Sequence, residues 1–417
     1  MLSYLKAPLL LYLRYYRTLG VRVAFYAVLA LVVAAVAPLA EYVLDQRLSS
    51  GLGTNAIMPV LTILASSMLA VSTFSINVMV AAHRAAADLA TPRIHQLLLE
   101  DTTTHNVLAT FIGAFVYALT SILLIQMRLL PADAVVVAMA TTVLVVFLVI
   151  TAMLGWIQHL SKLGSLENTL SVARARTRES LGRFAAAPDL GGTPMTAETV
   201  LPVHLTEVRA PRSGYVQLVD VDALAACLPT HGVAYLACRP GTHVLADEVI
   251  ARVSGGLDAA QLKQIAQSFV IGSQRTHEQD PAFGLLILSE MASKALSPGV
   301  NDPGTAIAAI DSATALLWEY AATTKDASQT EEPRVFVPVL SPGALVEAAF
   351  AATARDAAGS VEVALTLKTA LQRLAEAPGF AAAARRVSQR ATEYAQTRME
   401  LKADLAKLSA FDGHDKD

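Results

Sequence analysis

The residues best suited to chemistry lie in two short polar segments in the second half of the chain. They offer a cation, a base, several carboxylates and an amide, namely Arg275, His277, Glu278, Asp280, Asn301 and Asp302. The stretch from His277 to Asp280 lacks the spacing of a metal-binding motif, and neither a nucleophile elbow nor a phosphate-binding glycine loop accompanies it. We therefore expect no metal, no other cofactor and no enzymatic activity.

Two predicted helices position these segments. The first covers about Leu285–Ala295, and the second ends near Tyr320. Asp302 is predicted to cap the second helix, because a carboxylate accepts hydrogen bonds from the free backbone N–H groups there, and Pro303 suits the first helical position. Gly299 is expected to supply a positive φ in the connecting loop. A stiff loop rich in hydrogen-bonding groups should thus join the two helices.

These two segments have alternative roles. In a structural role, Arg275 pairs with Asp280 or Asp302, and Asn301 stabilises the turn. In a binding role, the capped helix end holds an anion or another small ligand, since helix N-termini attract negative charge. A catalytic role is a third alternative. The candidate residues for the structural and binding roles are Arg275, Asp280, Ser297, Asn301, Asp302 and Thr305.

The first 160 residues contain four long apolar stretches without Asp, Glu, Lys or Arg: Val23–Ala40, Ala56–Ala82, Asn106–Met127 and Ala134–Leu160. Each reaches the roughly 18 residues that a helix needs to cross a bilayer. They lack the alternation of barrel strands, so helices are the remaining way to satisfy their backbone in lipid. The sequence predicts a four-helix transmembrane domain at 23–160, after an interfacial amphipathic segment at 1–22. A short interfacial helix is predicted at Thr91–Asp101.

The second apolar stretch is unusually polar in its second half. A serine or threonine hydroxyl can donate to a carbonyl one turn earlier, but Asn77 has no such local partner. The stretch therefore either packs closely against another helix through small residues or lines a water-filled pore. The pore-lining candidates are Ser66, Ser67, Thr73 and Asn77.

The Lys and Arg residues that flank the stretches predict the topology. They are concentrated before the first stretch, between the second and third, and after the fourth. The positive-inside rule places these segments in the cytoplasm. We expect a multi-pass protein of the bacterial inner membrane with cytoplasmic N and C termini.

The remainder of the chain predicts a cytoplasmic α+β domain. Short apolar runs broken by turn residues indicate strands between 201 and 256, and their rhythm resembles that of barrel-sandwich modules. Phe380 to Leu408 follow a heptad-like pattern that suits either a coiled coil or docking along the same domain. The predicted divisions are a connector and linker at 161–200, a small β module at 201–256, a helical motif domain at 257–325, and a strand plus C-terminal helices at 326–417.

Several strings in this sequence carry a family resemblance. They are R-T-x-x-Q-D-P-x-F-G from Arg275, A-L-S-P-G-x-N-D-P-x-T-A from Ala295, and G-Y-V-Q-x-x-D from Gly214, all downstream of four apolar stretches. The chain resembles, over roughly residues 10–320, an uncharacterised bacterial family of predicted inner-membrane proteins catalogued as a domain of unknown function. The resemblance implies a topology and no activity.

Together these features favour a homo-oligomeric channel or channel-like pore, gated by its cytoplasmic domain. The alternative is a non-conducting membrane scaffold or sensor that binds a partner or small ligand through that domain. The expected partners are the lipid bilayer, other copies of the chain, and an ion or small ligand. A net charge of −3 and a pI near 6.3 give no basis for nucleic-acid binding. Cys227 and Cys238 are expected to be free thiols in a reducing compartment.

Overall fold

The structure is a computed structural model, and it describes residues 24, 28, 31, 32, 54–89, 93, 102–127, 134–160, 165–196, 198–323 and 334–413. The first predicted span, Val23–Ala40, lies outside these residues apart from four separate helical positions. The predicted interfacial segment at 1–22 lies wholly outside them, and so does the predicted helix Thr91–Asp101 except for Arg93. The described chain divides into two compact units, one up to Asn168 and one from Thr169 onward that also includes 89–94.

The first unit, here called the membrane unit, contains three long apolar helices: α1 (Thr54–Leu89), α2 (Thr102–Gln126) and α3 (Ala134–Leu160). Each contains a stretch long and apolar enough to cross a membrane, at Ile57–Ala81, Asn106–Gln126 and Val137–Leu160. These match the second, third and fourth predicted spans. Within the described residues, three of the four predicted spans are therefore present.

The membrane unit has its own apolar core. One face of α1 contributes Ile57, Leu61, Leu64 and Met68 at spacings of four, three and four residues, as expected for a single helical stripe. Phe111 of α2 and Val145 of α3 belong to the same buried cluster. Inside this core the Tyr117 hydroxyl lies 3.2 Å from the Thr142 hydroxyl, so the buried phenol has a hydrogen-bonding partner. The opposite face of α1 is thereby left exposed in the single chain.

The second unit, here called the α/β unit, begins within a helix and continues with short strands and helices. These elements are α4 (Leu166–Ala186), β1 (Thr193–Met195), β2 (Thr206–Arg209), β3 (Gly214–Val219), α5 (Val221–Cys227), β4 (Ala234–Leu236), β5 (His243–Val244), β6 (Val249–Val253), α6 (Ala259–Gln267) and β7 (Phe269–Gly272). Five helices and a strand follow, at α7 (Pro281–Ala295), α8 (Pro303–Thr323), β8 (Val335–Pro338), α9 (Pro342–Asp356), α10 (Val361–Ala375) and α11 (Ala381–Arg398), before α12 (Lys402–Gly413).

The strands form two sheets. A five-stranded sheet has the order β1-β8-β4-β6-β2, and a three-stranded sheet has the order β5-β3-β7. β8 pairs in parallel with both β1 and β4, whereas β6 pairs antiparallel with β4 and β2. The predicted strands between 201 and 256 and the predicted strand within 326–417 are confirmed. The barrel-sandwich arrangement is not confirmed, because strands from outside 201–256 complete both sheets.

The helices of the α/β unit pack around buried apolar stripes. On α10, Leu367, Leu371 and Leu374 are buried on one face, as are Ala384 and Val387 on α11. The predicted final helix is two helices, α11 and α12, which are separated at Met399–Leu401. The heptad-like pattern from Phe380 to Leu408 is therefore divided between two helices. Leu408 of α12 is instead buried against Ala364 and Ala395 of the same domain.

Candidate functional site

Arg275 and Asp280 form a buried ion pair at the start of α7. Both Nε and one terminal nitrogen of Arg275 lie 2.7 Å from the same Asp280 oxygen, and the Asp280 side chain is 4% exposed. Burial raises the pKa of the Asp280 carboxyl, although the charge and hydrogen bond of Arg275 oppose this effect. The carboxylate also lies against Gly241, where a Cβ atom would be 2.3 Å from it. Asp280 thus connects α7 to the turn before β5.

Gln279 connects the same segment to β3. Its side-chain amide accepts a hydrogen bond from Val219 N at 2.8 Å and donates one to Val219 O at 3.2 Å. The Gln279 side chain therefore satisfies the backbone N–H and C=O of Val219 at the end of β3, as the backbone of a neighbouring strand would. Gln217 adds a further link, because its amide donates to Gln274 O at 2.7 Å.

The aromatic ring of Phe283 lies near the side chains of Arg275 and His277. The Arg275 guanidinium is 5.2 Å from the centre of the Phe283 ring, and the His277 ring is 4.7 Å from it. Both nitrogens of His277 are buried and have no hydrogen-bonding partner among the described residues. Burial lowers the pKa of His277 to about 4, Glu278 partly offsets this effect, and Arg176, Arg183 and Arg275 lower the pKa further. His277 is therefore neutral at physiological pH.

Helix α4 packs directly on this segment. Arg183 donates to His277 O at 2.8 Å and to Glu278 O at 3.1 Å. A Cβ atom on Gly284 would lie 2.2 Å from the Thr177 hydroxyl, so the glycine allows the two helices to approach closely. We refer to the segment Arg275–Gly284 as the clasp, since it joins α4, β3, the turn at Gly241 and α7.

The second motif, Ser297–Thr305, connects α7 to α8. Asp302 accepts a hydrogen bond from Thr305 N at 3.1 Å and one from the Thr305 hydroxyl at 2.5 Å. These two bonds are the main reason why the pKa of Asp302 is lowered. Asp302 therefore caps α8 as predicted. Ser297 caps the preceding turn differently, because its hydroxyl donates to Lys294 O at 2.7 Å.

The residue with positive φ in this loop is Asn301, at 49°, so the prediction of Gly299 is wrong. Asn301 tolerates this conformation better than most residues with a side chain. Its N–H donates to Ser297 O at 2.9 Å, and the next N–H, that of Asp302, donates to Ala295 O at 2.8 Å. These bonds satisfy carbonyls at the end of α7.

The two motifs do not form one site. They lie at opposite ends of α7, whose 15 residues span about 22 Å at 1.5 Å per residue. Arg275 pairs with Asp280 and not with Asp302. Among the described residues, no group of three or more His, Cys, Asp or Glu side chains could hold a metal ion. The polar groups of the clasp are largely used to join elements of the fold.

The pore-lining candidates lie on α1 as follows. Ser66 and Thr73 are exposed and donate to carbonyls of their own helix, at 2.9 Å to Thr62 O and 3.0 Å to Leu69 O. Ser67 is partly buried and donates to Ile63 O at 2.6 Å. Asn77 is exposed, and no hydrogen bond joins its amide to a described residue. Ser66, Thr73 and Asn77 share one face, whereas Ser67 lies at its edge.

Sequence reasoning missed three polar features. Arg239 is buried and donates to Pro188 O at 2.7 Å and to Pro338 O, joining the turn after α4 and the end of β8 to the turn at Gly241. The hydroxyls of Ser72 and Ser75 are buried on the core face of α1, and no described residue forms a hydrogen bond with them. Arg93 forms an ion pair with Glu290 of α7. Of these three features, only the first has a signal in the sequence: Arg239-Pro240-Gly241 indicates a turn. This signal does not indicate that the Arg239 side chain is buried.

Comparison with known proteins gives relatives of unassigned activity. A 223-residue part of the chain is 28% identical to the uncharacterised protein Mb1321c of Mycobacterium bovis and to the uncharacterised protein Rv1290c of Mycobacterium tuberculosis. The match covers 52% of this chain and 43% of each relative, so the chain spans less than half the length of these relatives. No solved structure matches significantly.

The family comparison covers most of the chain. The profile of a family described as predicted membrane protein (DUF2254) matches residues 17–373, a range that includes α1 to α3, both motifs and α9. This agrees with the three apolar helices of the membrane unit. The chain belongs to the DUF2254 family of predicted membrane proteins.

Proposed function

We propose that this membrane protein is a homo-oligomeric channel or channel-like pore, in which the exposed face of α1 lines the conduction path. The support comes from Thr62, Ser66, Thr73 and Asn77, here called the polar stripe. All four are exposed and lie within about 30° of one line along the helix at 100° per residue, and this line also passes the exposed Val80. Large exposed apolar residues flank the stripe, with Leu69 and Ile76 on one side and Ile63 and Phe74 on the other.

The position of the stripe argues against a lipid-facing surface. If the exposed face of α1 contacted lipid, the polar stripe would lie in the middle of the surface that contacts hydrocarbon. The hydroxyls satisfy their donors within the helix, but the Asn77 amide would need a partner from protein or water. Association of several copies around the stripe supplies such partners, with Ile63, Leu69, Phe74 and Ile76 left to contact lipid or the neighbouring copies.

The continuity of the chain from α1 into the α/β unit supports gating. Helix α1 ends at Leu89, and Arg93, four residues later, pairs with Glu290 of α7. Arg93 belongs to the α/β unit, and in the proposed channel the chain between Leu89 and Arg93 would carry movement of that unit to the end of α1. The Arg93 and Glu290 side chains are 40% and 25% exposed, which makes the pair weak enough to break and reform.

The alternative is a non-conducting scaffold or sensor. Thr62, Ser66 and Ala70 are small residues at spacings of four, a pattern that also suits close packing of two helices. In a closely packed dimer the stripe would leave no room for water. In that case the α/β unit would bind a partner or small ligand without opening a path across the membrane.

Conduction in reconstituted bilayers tests the proposal. Thr73→Leu and Asn77→Leu should reduce single-channel current, because an apolar constriction in a narrow path excludes water. Leu69→Ile, on the flank of the stripe, is the matched control and should leave the current unchanged. If the wild-type protein gives no current under voltage, tension or added ligands, the scaffold alternative is favoured. Current that is insensitive to both leucine variants would assign the path to another helix.

We further propose that the protein lies in the bacterial inner membrane with both termini and the α/β unit in the cytoplasm. The distribution of Lys and Arg supports this orientation. In a background with both native cysteines replaced, cysteine at Met127 should react with an impermeant reagent in intact cells. Cysteine at Val203, which is 92% exposed, should react only after lysis. Reaction at Val203 in intact cells would reverse the orientation.

A further inference from the structure

The polar stripe continues beyond the apolar part of α1 into a charged residue. Arg84 follows Ser66 by 18 residues, which is five turns of 3.6 residues, so its Cα lies on the same line of the helix. It is exposed, and it stands three residues after Ala81, where the candidate membrane span ends. At 1.5 Å per residue this is about 5 Å past that end.

The composition of α1 gives Arg84 particular weight. Within the 36 residues of this helix, the charged residues are Arg84 and Asp88. The span from Ile57 to Ala81 has no charge at all, so the hydroxyls and amide of the stripe discriminate poorly between anions and cations. Any preference for one sign of charge must then come from the mouth of the path. Arg84 is the charge next to the span, and Asp88 comes one turn later.

We propose that a ring of Arg84 side chains, one from each copy, forms an anion-attracting mouth and makes the pore prefer small inorganic anions over cations. This inference rests on the proposed channel and specifies the class of ion that it conducts. Rings of arginine or lysine favour anions in a pore because low-dielectric walls concentrate their field in the path.

Reversal potentials under a KCl gradient test the proposal in the full-length protein in planar bilayers. Wild-type channels should be more permeable to chloride than to potassium. Arg84→Gln should lower the chloride-to-potassium permeability ratio by about threefold or more, a scale set by loss of one partly screened charge per copy. Arg84→Glu should invert the preference. Asp88→Asn, the matched control on the same helix, should leave the ratio unchanged or raise it.

A thiol variant keeps the test independent of folding. In a background with Cys227 and Cys238 replaced, Arg84→Cys channels are first recorded and then treated with thiol reagents of either charge. A cationic reagent should restore the anion preference within one recording, and an anionic reagent should remove it. Wild-type current with no anion preference, or a ratio unmoved by Arg84→Glu and by both reagents, overturns this inference and leaves the channel standing. Absence of any current overturns the channel and this inference together.

Discussion

Asp280 and Gly241 are in contact through the Asp280 carboxylate, which occupies the space that a side chain at position 241 would need. Gly241 has a φ of 93°, and a Cβ atom there would lie 2.3 Å from an Asp280 oxygen. The turn before β5 and the start of α7 can thus approach this closely because residue 241 is a glycine and has no Cβ atom. The relationship identifies the clasp as a structural junction.

Gly241→Ala should destabilise the protein for two reasons. Alanine is strained at this positive φ, and its methyl group would displace the carboxylate that pairs with Arg275. We expect a loss of about 2 kcal/mol or more in the free energy of unfolding. Gly299→Ala is the control, because φ is not positive there and no atom lies within 4 Å of the added Cβ. Urea unfolding of the detergent-purified protein measures both, and equal stabilities would contradict this account of the junction.

Removal of one partner from the buried pair should cost more than removal of one from an exposed pair. Asp280→Ala leaves the half-buried Arg275 without its carboxylate, and buried pairs broken in this way typically lose about 3–5 kcal/mol. Glu319→Ala breaks the Arg178–Glu319 pair, in which both side chains are about half exposed, and should cost less than about 1 kcal/mol. Thermal unfolding followed by intrinsic fluorescence compares the two. A Glu319→Ala effect as large as that of Asp280→Ala would contradict the assignment.

Much of this architecture can be predicted from the sequence, because many of its elements depend on residues that are close together in the chain. The apolar helices, the strands around Tyr215 and Phe336, and the cap at Asp302 each depend on residues close together in the chain. The pairing of β8 with β1 and β4 depends on residues more than a hundred positions apart, so no local pattern reveals it. The contact between Asp280 and Gly241 joins residues 39 positions apart, which is also beyond the reach of a local pattern. Asn301 shows a subtler failure, because either it or Gly299 could supply the positive φ of that loop.

Asp302→Ala should lower stability through loss of the helix cap. The side chain holds Thr305 N and the Thr305 hydroxyl, and loss of such a cap typically costs about 0.5–2 kcal/mol. Asp311→Ala, at an exposed position within the same helix, is the control and should change stability little. If Asp302 instead serves a ligand, its replacement should abolish function while the melting temperature is unchanged. An unchanged melting temperature together with unchanged function would exclude both roles.

His277 should make the stability of the protein depend on pH between about 7 and 5. Its pKa of about 4 in the folded protein lies below the usual 6.5 of an unfolded chain, so the unfolded state binds a proton more readily. The stabilisation is therefore fully present above pH 6.5 and is lost as the pH falls toward 4. By pH 5 the loss should be at most about 2 kcal/mol.

Other groups act outside this window or in the opposite direction, which makes a His277 variant the decisive measurement. Asp302 and Glu319 have lowered pKa values and stay ionised between pH 7 and 5. The raised pKa of Asp280 changes stability in the opposite direction, because its contribution to the free energy of unfolding is lost as the pH rises. His277→Phe keeps an aromatic ring against Phe283 and should flatten the fall in unfolding free energy between pH 7 and 5. His204→Phe, at an exposed position, should retain the wild-type slope. Equal slopes in the two variants would show that the buried imidazole of His277 does not govern acid sensitivity.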